Sequence, residues 1–249
     1  NSSKSSLKIK SFYAYKPESN EYYFGLNNNN KLHTDNRDLP ILIIGVCFYN
    51  ENAIELRRTL VSLADQVEEL KDKAICQVVF VSDGHRQMSS TTKEYFKHIF
   101  CSNKTHVTSW DNLMKALDNH CLEVEAAEED ERRGVPIEQA KKKPNHLTYV
   151  VQKVTRKKGR IQVNIPGAKD SKVRKLPLTL VLKASNRRKH NSQEWILNAF
   201  AKQSVRHNIL RRDDNNNRYI LMTDCGTLYD SQCLVRLVRY MDTHPLCVG

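Results

Sequence analysis

No apolar run in this 249-residue chain approaches the roughly 20 residues needed to span a bilayer. No basic-then-apolar leader opens it either. Both absences point to a soluble stretch of polypeptide, and the abrupt start and finish read as an excerpt of something longer. The seven cysteines are odd in number, scattered, and include no Cys-x-x-Cys pair. That makes a poor disulfide framework or zinc site and favours buried free thiols, since Cys47 and Cys76 lie inside apolar runs. There is no internal repeat. Hydrophobic residues are 39% of the chain, below the usual share, so polar segments should surround a smaller packed region.

What is abundant is positive charge. Forty basic against 28 acidic side chains leave a formal charge of +12, which favours an anionic partner: nucleic acid, a lipid surface or a phosphorylated ligand. A nucleic-acid-binding module would account for the charge and for the lysine-rich stretch 156–175. Against it stand the lack of zinc-finger spacing, the lack of an RNA-recognition-motif signature, and basic residues that cluster outside the apolar framework.

Residues 1–39 are rich in Ser, Asn and Lys and predict a flexible arm. The interspersed Phe12, Tyr13, Tyr15, Tyr22, Tyr23 and Phe24 offer the alternative of docking on the domain. From residue 40 the pattern changes. Residues 40–48 form a short β-branched apolar run, a buried strand. Leu56, Leu60, Leu63, Val67 and Leu70 then draw one apolar stripe along a helix. Residues 75–81 are a second buried strand, and Thr91 with Glu94 suggests a capping box for a second helix. This alternation predicts a parallel α/β layer.

Residues 102–177 interrupt the rhythm and read as an insertion. It holds an acidic helix over 123–133, a strand over 147–155, and a basic hairpin facing outward over 156–175. A third framework strand follows at 178–183. The next helix is capped by Asn191 or Ser192 and carries Trp195 and Phe200. A fourth strand at 219–223 and a last helix through Leu234 and Val238 complete the pattern.

Three acidic motifs directly follow buried strands: Tyr49-Asn50-Glu51, Ser82-Asp83-Gly84 and Asp224-Cys225-Gly226. Each alone is commonplace, because Asp-Gly after a strand is usually a turn and Asn-Glu can be a helix cap. Together they fall on the strand edge where open α/β sheets bind ligands. Convergent carboxylates repel one another unless a polar ligand or a divalent cation such as Mg²⁺ or Mn²⁺ joins them.

Residues 183–200 read Lys-Ala-Ser-Asn-Arg-Arg-Lys-His-Asn-Ser-Gln-Glu-Trp-Ile-Leu-Asn-Ala-Phe. This segment resembles chitin synthases, as do Cys47-Phe48-Tyr49-Asn50-Glu51, Arg57-Arg58-Thr59-Leu60, Val81-Ser82-Asp83-Gly84 and the Asp-x-Gly-Thr at 224–227. The resemblance covers residues 40–100 and 178–249. Two departures from the family pattern stand out. His85 occupies a position that is usually Arg, and Ala184 and Ser185 are less basic than in fungal examples.

The resemblance implies a GT-A-like (Rossmann-like) α/β glycosyltransferase domain over 40–249, with a mostly parallel sheet left incomplete at the C-terminus. It implies transfer of N-acetylglucosamine from UDP-GlcNAc to a growing β-1,4-linked polysaccharide acceptor, with inversion; hyaluronan-like and cellulose-like synthases are the neighbouring alternatives. It further implies that Tyr49 and Glu51 flank the uracil, that Asp83 holds it by its imide or the ribose, and that Asn50 and Gly84 belong to the same UDP site. Lys183 would face the diphosphate, and Asp224 would contact a divalent cation. The family's general base and membrane helices would lie beyond Gly249, placing the domain on the cytosolic side of a plasma or vesicle membrane. An open sheet edge would leave the fragment prone to associate.

Overall fold

The structure, a computed structural model, describes residues 5–12, 39–155, 161–167, 172–186, 188–201 and 218–244. Its centre is β2 (Ile41–Phe48), in which every residue is buried. The strand is flanked in parallel by β3 (Ile75–Ser82) and β8 (Arg218–Asp224), and both its faces are covered, which is why its sequence shows no alternation. Beyond β3 comes β7 (Leu178–Lys183), also parallel. These are the four strands expected from the apolar runs.

The helix after β2, α1 (Ala53–Glu69), starts at Asn52. Asn52 Oδ1 accepts from the amides of Ile54 and Glu55, while Glu55 accepts from the Asn52 amide at 3.1 Å, a complete capping box. Leu56, Leu60 and Leu63 on its inner face are fully buried. Helix α2 (Ser90–Phe100) is capped by Ser89, whose hydroxyl accepts from the Thr92 amide at 3.1 Å; the expected Thr91–Glu94 box is not the cap.

Residues 102–177 prove integral to the domain, not an insertion upon it. Helix α3 (Lys104–Arg132) is far longer than its acidic end suggested, capped by Asn103 and burying Trp110, Leu113, Leu117 and Cys121. Strand β4 (Thr148–Thr155) pairs antiparallel with β7 inside the main sheet. Strands β5 (Val163–Pro166) and β6 (Val173–Leu176) do form an antiparallel pair, but it does not face outward. Val163, Ile165 and Leu176 enter the main core, and Arg57 Nη2 donates to the Gly167 carbonyl at 3.0 Å.

The arm also contributes. Ser5–Phe12 forms β1, antiparallel to β4, with Leu7 and Ile9 packed on the core. The other aromatics of the arm, residues 13–24, lie outside the described residues. The sheet order is therefore β1-β4-β7-β3-β2-β8.

Helices α1, α2 and α3 and the β5–β6 pair cover one face. The other face carries α4 (Arg188–Glu194) and the π-helical segment Trp195–Ala201, whose Trp195, Ile196 and Phe200 pack on Ile43, Val79 and Val181. Contact here is close enough to demand Gly45: a Cβ at that position would lie 2.5 Å from Ile196 Cδ1. The last described helix is α5 (Cys233–Thr243), which buries Leu234 and Val238.

Candidate functional site

Because β8, β2, β3 and β7 run parallel, their carboxyl ends share one edge of the sheet. Register places the side chains along it. Ser82 pairs with both Phe48 and Leu182, so Asp83 and Lys183 lie side by side, each one residue further on. Cys47 pairs with Asp224, two strands from Asp83, which at ordinary strand spacing is roughly 10 Å away. The three acidic motifs and Lys183 are thus brought to one edge.

Lys183 is 3% exposed, and its ammonium donates to Asp83 Oδ1 at 2.9 Å, Asn191 Oδ1 at 3.2 Å and Ser192 Oγ at 2.7 Å. An ammonium has three hydrogens, and all three are directed at the chain's own oxygens. That arrangement does not suit the diphosphate-facing role implied for Lys183. The lysine is instead the buried anchor of Asp83. Asn191 and Ser192, expected as helix caps, sit within α4 and complete the anchor. A buried ion pair needs such extra hydrogen bonds to offset desolvation.

Asp83 is held from behind as well, its amide donating to the Phe48 carbonyl at 2.8 Å. Gly84 follows at φ +108°, and a Cβ there would lie 3.0 Å from the Asn186 amide nitrogen. The backbone thus reaches the loop after β7 only because residue 84 has no side chain.

Tyr49 and Asn50 are exposed beside this pair. Glu51 turns back to accept from the Tyr49 amide at 2.5 Å, and its carbonyl accepts from Thr92 Oγ1 at 2.8 Å, pinning the turn to α2. The side chain of Glu51 organises the Tyr49 backbone, and the Tyr49 ring presents the larger contact surface.

At the far end of the edge, the turn after β8 is fixed twice. The Gly226 amide donates to Thr59 Oγ1 at 2.8 Å, and the Cys225 amide to the Cys47 carbonyl at 3.3 Å. Asp224 itself is exposed and ion-paired with Lys189 of α4 at 2.6 Å. The carboxylate raises the lysine's pKa, chiefly through this hydrogen bond. Lys189 was part of the quoted motif but carried no assigned role; only its position in the fold reveals it as the cation at Asp224.

Among the described residues no group of three or more His, Cys, Asp or Glu side chains is placed to hold a metal ion. Asp224 fits a cation of the magnesium type, which needs one or two carboxylates and takes its other ligands from water and phosphate. The pairing with Lys189 shows that the carboxylate already attracts a positive group. Cysteine chemistry is disfavoured here: burial pushes the Cys47 and Cys225 thiols up to about 11, leaving both protonated at neutral pH.

This mostly parallel six-stranded sheet, with acidic turns on its carboxyl edge, is that of a GT-A-like glycosyltransferase domain. Residues 139–249 match the family model of the chitin synthase-like glycosyltransferase domain. No curated protein matches the chain. The matched stretch includes β4, β5 and β6 as well as Lys183, Lys189 and Asp224, in keeping with the integral place of these strands in the fold. The activity it supports is transfer of a glycosyl group, of the family 2 kind. No helix among the described residues is long and apolar enough to cross a membrane.

Proposed function

We propose that this domain binds UDP-GlcNAc and supplies the donor side of chitin synthesis, in a membrane-bound enzyme whose acceptor is the growing polysaccharide. The observation that carries the reading is the anchored Asp83. A carboxylate fixed by a buried lysine at the end of a central strand, beside an exposed tyrosine, suits the polar edge and flat face of a uridine.

On this reading Tyr49 stacks on the uracil, and Asn50 and Glu51 shape the turn that carries it. Asp83 accepts a hydrogen bond from the base or ribose, with Gly84 allowing close approach. Asp224 holds a divalent cation together with the diphosphate. When bound, that ion would offset the charge of the departing UDP. The exposed Lys189, rather than the buried Lys183, would exchange its Asp224 partner for the phosphates. No residue of this chain is assigned as the base that deprotonates the acceptor hydroxyl.

Thermal shift and calorimetry with UDP, with and without Mn²⁺, test the reading. UDP should stabilise the domain, and more strongly with metal. Stabilisation by an oligonucleotide and not by UDP would overturn the proposal in favour of a nucleic-acid module.

A further inference from the structure

His85, next to the Asp83–Gly84 turn, is completely buried, yet three charged groups surround its ring. Its Nε2 lies 2.8 Å from Asp118 Oδ1 of α3 and 3.2 Å from Lys93 Nζ of α2. Arg86, ion-paired with Glu125 of α3, adds a second cation nearby. Cys121 of α3 lies one turn from Asp118, its thiol donating to the Ala184 carbonyl at 3.3 Å. The distance to Asp118 is that of a hydrogen bond in which Nε2 carries the proton and donates, so the Lys93 ammonium beside the same nitrogen acts on the ring by its charge alone. In the neutral ring Nδ1 is then an acceptor, and it has no partner among the described residues.

The backbone of the same residue joins the two loops of the site. The His85 amide donates to the Ala184 carbonyl at 3.3 Å, directly after Lys183. Gly84 abuts Asn186 on the same loop. Helix α3 therefore grips both sides: Asp118 holds the His85 ring, and Cys121 holds Ala184.

We propose that His85 is a positioning residue for the donor site: its neutral ring, tethered to Asp118, holds the Asp83–Gly84 turn against Ala184–Asn186 and so sets Asp83 for the uridine. This rests on the uridine-binding reading above. Protonating the ring would place a buried imidazolium beside Lys93 and Arg86, with only Asp118, itself largely solvated, to offset it. Burial and Lys93 both lower the His85 pKa. The sign follows from that shift. The neutral form is favoured in the fold, so the turn is intact above the ordinary histidine value of 6.5 and is penalised progressively as pH falls below it.

The test compares wild type, His85→Gln and His85→Ala. His85→Gln keeps a donor for Asp118 but has no proton to gain. Metal-free UDP affinity is measured by calorimetry above and below pH 6.5, and amide exchange over residues 82–86 is measured without nucleotide. His85→Gln should bind as wild type at neutral pH. Wild type should lose affinity on acidification beyond the loss seen in His85→Gln, which corrects for titration of UDP itself. His85→Ala should be weaker at both pH values, by about tenfold, the scale of one buried hydrogen bond. Turn exchange should rise in His85→Ala, and in acidified wild type more than in acidified His85→Gln. Wild-type affinity and exchange in His85→Ala, or an equal acid response in wild type and His85→Gln, would overturn the proposal. If even wild type fails to bind UDP, the uridine reading falls, and the nucleotide-free exchange still decides the role of His85.

Discussion

The Lys189 ammonium lies 2.6 Å from the Asp224 carboxylate, so a side chain of α4 neutralises the one exposed acid at the end of β8. Both groups are more than half exposed, and such pairs add little stability. A metal ion and this lysine cannot both sit against the same oxygen. Lys189→Ala should therefore bind Mn²⁺ more tightly in the absence of nucleotide and UDP more weakly in its presence, with the melting temperature unchanged. Titrating Mn²⁺ by its paramagnetic signal measures the first effect and calorimetry the second. Unchanged Mn²⁺ affinity would show that the pair does not compete with the ion.

Asp224→Asn should remove most of the metal-dependent part of UDP binding while leaving the fold intact. The exposed carboxylate makes no buried contact whose loss would unfold the domain. The expected cost is on the order of 1–3 kcal/mol of binding, as for a charged hydrogen-bonding group. Equal UDP affinities with Mn²⁺ for the variant and wild type would remove Asp224 from the site.

Lys183→Ala tests the anchor. It leaves Asp83 buried without its cation, and breaking a buried pair in this way costs about 3–5 kcal/mol of stability. The melting temperature should fall sharply, and Asp83→Asn in the same chain should restore part of the loss. Had Lys183 faced the diphosphate, its removal would have weakened nucleotide binding with little effect on stability.

Ile165→Ala should destabilise the domain by about 2–5 kcal/mol, the usual cost of truncating a large buried aliphatic side chain. Removing 161–176 altogether should prevent folding, since it would uncover part of the core beside α1. Chemical denaturation measures the first, and solubility with circular dichroism the second. A dispensable outward-facing hairpin would show neither effect.

The four parallel strands were legible because a strand buried on both faces must be continuously apolar, as residues 41–48 are. Once those strands were placed, their shared edge followed, and with it the gathering of Glu51, Asp83, Lys183 and Asp224. Three features were not legible. The inner stripe of α3 includes buried His106 and His120, so it did not read as a continuous apolar stripe. The inward face of β5 rests on only two residues, Val163 and Ile165, too short a pattern to set against the surrounding lysines. The role of Lys183 depends on α4 folding back onto the sheet so that Asn191 and Ser192 reach the end of β7, a tertiary event that local spacing does not encode. The aromatics of the arm suggested docking, and part of the arm does dock, through Leu7 and Ile9.

Strand β1 pairs Ser5 with Thr155 and Phe12 with Thr148, across a long stretch of intervening sequence. A chain made from its amino end produces β1 long before β4, and the whole of α1, α2 and α3 must be synthesised before its partner exists. Closing so long a loop carries a large entropic cost before any contact offsets it. The docking of β1 therefore waits on the synthesis of β4. Strand β1 is one of the two edge strands of the sheet, at the end remote from β8 and Asp224, so its loss would leave the parallel strands and their carboxyl edge paired as they are.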